Sequence, residues 1–152
     1  MKGIITAIML SVTLAGAGVA ETETELPAET ETECAYSEND LYILSHIISA
    51  ESGNCSEEMM IAVGSVVLNR VADERFPDNI EDVVFQKGQY SPTWNGAYYN
   101  EPTDGAVEVA KMLLQDGSQL DASVVWQAEF RQGNGVYKTI DSPWGTRMYF
   151  CS

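Results

Sequence analysis

A single histidine, His46, and 8 basic side chains against 23 acidic ones leave this 152-residue chain short of two kinds of chemistry. With a formal net charge of −15 and no basic stripe, it lacks the phosphate-neutralising surface that nucleic-acid binding requires. From Leu41 onward the imbalance is 15 acidic to 7 basic side chains, so the shortage of cations extends to the part of the chain that can fold. One histidine and no spaced His or Cys cluster leave a zinc site without three ligands, and no metal or organic cofactor is indicated. Three cysteines, Cys34, Cys55 and Cys151, allow one disulfide at most. Cys34 and Cys151 flank the domain and are placed to staple its ends, but the count fits no disulfide equally well. Past the first twenty residues no apolar run is long enough to span a bilayer.

The amino-terminal segment reads as a targeting signal over residues 1–20. Lys2 supplies its positive end and residues 4–19 are apolar or small. Gly18 and Ala20 place small residues ahead of a cut before Glu21. An uncleaved anchor is the alternative, disfavoured by the Gly and Ala content, and no stable membrane insertion is expected after cleavage. Residues 21–40 form an acidic spacer that opens ETETELPAETETE, with no hydrophobic periodicity to offset the entropy of ordering. Residues 41–152 are left as one catalytic-sized domain.

Just ahead of that domain Ser37 and Asp40 make a helix start, and within it Leu41, Leu44, Ile47 and Ile48 recur at helical spacing. Glu51 continues the same stripe, with Gly53 and Asn54 as stop signals beyond it. Ser56, Glu57 and Glu58 open a second helix whose run MMIAVGSVVL is apolar or small nearly all round, the pattern of a central buried helix. Asn69 and Arg70 interrupt it with polar groups that must find partners. A short helical turn is expected over residues 80–85, an ordered loop over 87–100 and a third helix over 103–115. Two short strands follow, SVVWQ at 123–127 and RMYFC at 147–151. Helices first and a small sheet afterwards make the fold α+β.

Glu51 is the sharpest chemical signal. A carboxyl at a helix C-terminus with an apolar lining has its charged form disfavoured twice, so its pKa should rise. A raised carboxylic acid is what a glycosidase needs to protonate a leaving glycosidic oxygen. The plainer reading is an acid that turns to solvent or pairs with Arg70.

A set of ordered motifs bears on that choice. SAESGN around Glu51 is followed by VVLNRV, with Asn69 eighteen residues past the acid. Then come Phe76-Pro77, GQYSP at 88–92 and WGTRMYF at 144–150. No piece is specific alone, but together they span Leu41 to Phe150 and resemble the cell wall hydrolase family that includes spore-cortex-lytic enzymes. The resemblance implies a lysozyme-like, mainly helical α+β fold with a small antiparallel sheet. Its implied substrate is the glycan strands of peptidoglycan, cut between N-acetylmuramic acid and N-acetylglucosamine. Glu51 would be general acid and then base, giving 1,6-anhydromuramoyl ends, in an exported protein associated with the wall. Gln89, Tyr90 and Ser91 carry over as groove residues that bind or orient sugar.

Several positions depart from the family pattern. Arg147 stands where an H-x-F-Y-type motif has its histidine, with Tyr149 and Phe150 following, so a fixed cation replaces a titratable one. Tyr90 replaces a usual Phe, and Cys55 a more usual polar residue. Trp94, Tyr98 and Tyr99 in the loop and Trp126 and Tyr149 in the strands are candidate sugar platforms, since pyranose faces present C–H groups to rings, although such aromatics are more often core. The acidic charge would repel anionic wall polymers at long range, so binding has to come from a local groove. Two rival readings follow from other residues: a thiol amidase or peptidase using Cys55, just ahead of a helix N-terminus, with His46; and a non-catalytic wall-binding module, on the strength of Arg147.

Overall fold

The computed structural model describes residues 36–152; the expected signal at 1–20, most of the spacer and Cys34 lie outside them. Five α-helices lead the order: α1 (Glu38–Ser52), α2 (Glu57–Ala72), α3 (Ile80–Val84), α4 (Pro92–Asn95) and α5 (Asp104–Asp116). A 3-10 turn at Ala97–Tyr99 precedes α5. Three strands close the chain: β1 (Trp126–Ala128), β2 (Val136–Asp141) and β3 (Arg147–Cys151).

Helix α1 starts at Glu38, three residues before the boundary read at Leu41, because Ser37 and Asp40 build a reciprocal cap. The Ser37 hydroxyl accepts from the Asp40 amide and the Asp40 carboxylate accepts from the Ser37 amide. Ser56 and Thr103 cap α2 and α5 in the simpler way, each hydroxyl taking one free amide of the first turn.

Helix α2 is covered on opposite sides by two cores, as its all-round apolar run requires. Met60 and Val67 pack with Leu44, Ile47 and Ile48 of α1, Val83 and Val84 of α3, and Val109 and Leu113 of α5. Met59, Val63 and Val66 pack instead with Val124, Ile140 and Phe150 of the sheet region. Gly64 lets the helical layer close: a Cβ there would collide with the terminal methyls of Ile48 and Leu113.

The sheet is antiparallel in the order β1-β3-β2, with Trp126 opposite Cys151 and Ile140 opposite Met148. Its middle strand is the carboxy-terminal one. Sequence reading placed the first strand at 123–127, whereas the paired strand begins at Trp126; the buried Val124 and Val125 lead into it out of a turn closed by the Val124 amide on the Asp121 carbonyl. It also passed over β2 entirely. VYKTID buries only Ile140 thoroughly, so no apolar alternation marks it as a strand.

Asn69 ties the two halves. From the buried end of α2 its amide donates to the carbonyls of Asp121 (2.8 Å) and Val124 (2.9 Å), fixing the chain that enters β1. Asn69→Leu replaces the amide with a somewhat bulkier branched apolar group and strands both carbonyls, so urea denaturation should show a loss of about 2–3 kcal/mol. An unchanged midpoint would mean that the sheet is positioned by apolar packing alone.

Candidate functional site

Glu51 occupies the last turn of α1, where the helix carbonyls present partial negative charge and no basic residue offsets them. Its carboxylate forms no hydrogen bond or ion pair with any described residue. Burial pushes its pKa from 4.5 to about 7, and the Arg70 guanidinium pulls in the opposite direction without prevailing.

Two cavities meet at this carboxyl. One, of about 390 Å³, is lined beside Glu51 by Arg70, Gln89, Tyr90, Trp126, Gln127 and Gln132, among others. The other, of about 110 Å³, is lined by Cys55, Met59, Ser142, Trp144 and Thr146. Glu51, Glu129 and Met148 line both, so the acid sits between two adjoining recesses of the surface. Such an arrangement can hold a chain-like ligand on either side of a proton donor.

Arg70 does not pair with Glu51, contrary to the plainer sequence reading. It is 3% exposed, and its Nε donates to the Val125 carbonyl at 2.7 Å. Three aromatic rings surround the guanidinium, at 5.3 Å for Phe76, 5.2 Å for Tyr90 and 5.6 Å for Trp126. Phe76 and Trp126 also meet edge to face at 5.7 Å.

Of the residues nominated from sequence, Glu51, Gln89, Tyr90 and Trp126 come together in the larger cavity. The others line neither recess. Ser91 and Trp94 belong to the exposed start and body of α4. Arg147 pairs across the β2–β3 ladder with Asp141 (2.6 and 3.0 Å) at an exposed position. Tyr149 lies beneath Arg131 at 6.0 Å. Parity along β3 explains the last two: Met148 and Phe150 turn to the cavity and core, so 147 and 149 point the other way.

Sequence reasoning missed Arg70, Gln127, Glu129 and Trp144 as lining groups. Trp144 belongs to the WGTRMYF run, and its place between Pro143 and Gly145 in a turn is the trace that sequence could have offered; the fold leaves it 69% exposed. Arg70 is marked only as a polar interruption of the apolar run, and Gln127 and Glu129 carry no mark at all.

The thiol reading finds no catalytic pair. His46 is buried, stacked on Tyr42 at 4.0 Å, and its Nδ1 donates to the Tyr98 carbonyl at 2.8 Å, which engages it away from Cys55. Burial raises the Cys55 pKa, the reverse of an activated thiol. Cys55 and Cys151 are both free thiols. Among the described residues no cluster of three His, Cys, Asp or Glu side chains is grouped to hold a metal ion. No described helix is long and apolar enough to cross a membrane.

A family model described as Cell Wall Hydrolase matches residues 54–135, a span that opens just after Glu51. The spore cortex-lytic enzyme of Oceanobacillus iheyensis is 29% identical over 102 residues, which is 67% of this chain and 33% of that protein. That of Bacillus cereus is 29% identical over 113 residues, 72% of this chain and 39% of that one. The chain thus spans little more than a third of the length of these curated relatives. The catalytic domain of the germination-specific lytic transglycosylase SleB from Bacillus anthracis superposes with a TM-score of 0.58 at 22% identity, over 77% of this chain and 97% of that domain. The Bacillus cereus SleB catalytic domain does so at 0.57 and 22%, over 77% and 92%. The lysozyme-like fold expected from the motifs is therefore shared.

The raised pKa of Glu51 has a consequence for stability. Folded, the group keeps a proton that the unfolded chain releases between pH 4.5 and about 7, so its contribution to stability falls as pH rises through that window. Glu51→Gln removes this dependence. Denaturation at pH 5 and pH 8 should show the variant gaining about 2 kcal/mol on the parent over that range. Parallel stabilities at both pH values would place the carboxyl in solvent.

Proposed function

The chain belongs to the cell wall hydrolase family, and on that premise we propose that it cuts the glycan strands of peptidoglycan between N-acetylmuramic acid and N-acetylglucosamine, with Glu51 as the acid. One observation carries the reading: an unpaired carboxyl, held near pH 7 by burial, lies where two recesses join. A strand laid through both recesses would place one glycosidic oxygen beside it. Glu51 donates its proton to that oxygen as the bond to the muramoyl C1 breaks. The resulting carboxylate then takes the proton of the muramoyl 6-hydroxyl as that oxygen bonds to C1. The product is a 1,6-anhydro ring with no net addition of water. A group that must give and then regain a proton works best with a pKa near the working pH.

One carboxylate suffices for this route, whereas inverting hydrolysis requires a second, opposed base. The name of one structural relative, a lytic transglycosylase, favours the same chemistry. In this reading residues 1–20 direct export, residues 21–40 tether or space the domain, and the wall is the site of action. Gln89, Tyr90 and Trp126 contact sugar from the larger recess, and Trp144 offers a ring to the smaller one.

Mass spectrometry of fragments released from purified peptidoglycan tests the proposal. Wild type should yield anhydromuramoyl ends, and Glu51→Gln should lower the rate by about a thousandfold or more, the scale expected for loss of an essential acid. The rate should also decline as pH rises above about 7, when Glu51 loses its proton. Reducing muramic ends would make the enzyme a hydrolase with the same acid. Free stem peptides, or undiminished activity in the variant, would overturn the assignment.

A further inference from the structure

Proton transfer to and from the glycan is complete with Glu51 alone, but charge is not balanced. As the glycosidic bond breaks, positive charge spreads over the muramoyl C1 and ring oxygen. Glu51 is neutral until it has given up its proton, so it offers that charge no counter-ion early in the step. The other ionic group already met in the wall of the larger recess is Arg70, a buried cation whose field opposes new positive charge. Groups placed in advance against developing charge are among the largest contributors to catalysis, so the reaction calls for an anion here.

One charged side chain of the two recesses is left, Glu129. Like Glu51 and Met148 it lines both, which places it at their junction, where the bond to be cut must lie if the acid is to reach it. The sheet holds it there from the layer opposite Glu51. Glu129 directly follows β1, whose last residue, Ala128, is registered against Tyr149 of the middle strand, next to Met148. Its carboxylate is exposed and forms no hydrogen bond or ion pair with any described residue. Arg131, two residues on, lies over the Tyr149 ring at 6.0 Å instead of pairing with it. The two carboxyls thus meet contrasting surroundings, one half-buried at a helix end and one in contact with water beside the sheet. Contrast of that kind separates the roles of paired carboxyls.

We propose that Glu129 is a second catalytic carboxylate, which presents its negative charge to the muramoyl ring at the junction and offsets the positive charge that forms there. It exchanges no proton. The electron pair of the breaking C1–O bond leaves with the glycosidic oxygen, Glu51 protonates that oxygen, and Glu129 stands by as a fixed anion. This rests on the glycan-cleaving reading and adds to it the electrostatic partner of the acid.

Two measurements on the full chain test this, one kinetic and one independent of cleavage. On soluble glycan strands, Glu129→Gln should lower kcat about a hundredfold with KM held within about threefold, the pattern of an interaction made mainly in the transition state. Glu129→Asp keeps the charge and should recover about tenfold of that loss, with anhydromuramoyl ends released throughout. The second measurement titrates the chain carrying Glu51→Gln with an oligosaccharide ending in a protonated iminosugar ring and with its neutral parent sugar. The cation should bind about tenfold or more tightly, and adding Glu129→Gln should shrink that ratio to about threefold or less. An unchanged kcat, a loss confined to KM, an Asp variant no better than Gln, or a ratio indifferent to Glu129→Gln would overturn the role. So would reducing ends that disappear in Glu129→Gln, which would make Glu129 a base for water. If the ratio depends on Glu129 but wild type releases no glycan fragments, the anionic site survives and the cleavage reading fails. If wild type releases fragments and neither measurement responds to Glu129, cleavage stands and this role falls.

Discussion

Helix α2 is apolar on every side, and the rest of the fold follows from the need to cover it. A helix of this kind cannot lie on a surface. One side takes α1, α3 and α5, and the opposite side takes the small sheet with Val124, Ile140 and Phe150. The two layers share no large core of their own and are joined through α2. Its final polar turn therefore falls at their seam, where Asn69 and Arg70 reach across to the carbonyls of Val124 and Val125.

The seam is also where the chemistry lies. Helix α1, packed along α2, delivers Glu51 from its carboxy-terminal turn to the edge of the helical layer. The sheet layer faces it with Trp126, Gln127, Glu129 and Met148, so a cleft with an acid at its centre arises wherever these two layers leave a gap. The wall on the far side of the acid comes from the β2–β3 turn carrying Ser142, Trp144 and Thr146. Fold and site are thus the same packing problem seen from two sides. A change that shifts the sheet against α2 would move the walls of the cleft but not the acid.

The helical half was legible because its signals are local. Ser37, Ser56 and Thr103 announce caps, the stripe from Leu41 to Glu51 sets one buried face, and the run through Leu68 declares the centre. Glu51 was legible as a charge on an apolar stripe. The sheet was less so, since β2 exposes most of its side chains and its pairing with β3 is non-local. Parity hid part of the site as well. The motif at 144–150 drew attention to Arg147 and Tyr149, while the strand register gives Met148 to the cleft and pairs Arg147 with Asp141. Gln127 had no sequence signature at all, because a place in the cleft wall is a property of assembled neighbours.

Why segments so far apart along the chain converge on one site follows from Arg70. A buried guanidinium normally demands a carboxylate, and Glu51 lines the same recess. Had the two paired, the ion pair would hold Glu51 ionised and well below the pKa that general acid catalysis requires. Here the cation is held without a counter-ion, by the Val125 carbonyl and by three ring faces worth about 0.5–2 kcal/mol each. Phe76 comes from the Phe-Pro loop, Tyr90 from the GQYSP loop and Trp126 from the first strand. Three separate stretches of chain thus each contribute one ring to the same aromatic enclosure. Losing any one would weaken the enclosure and increase the pull of Glu51 on the guanidinium, lowering the acid's pKa without touching the acid. Scattered along the chain as they are, these segments act on one proton.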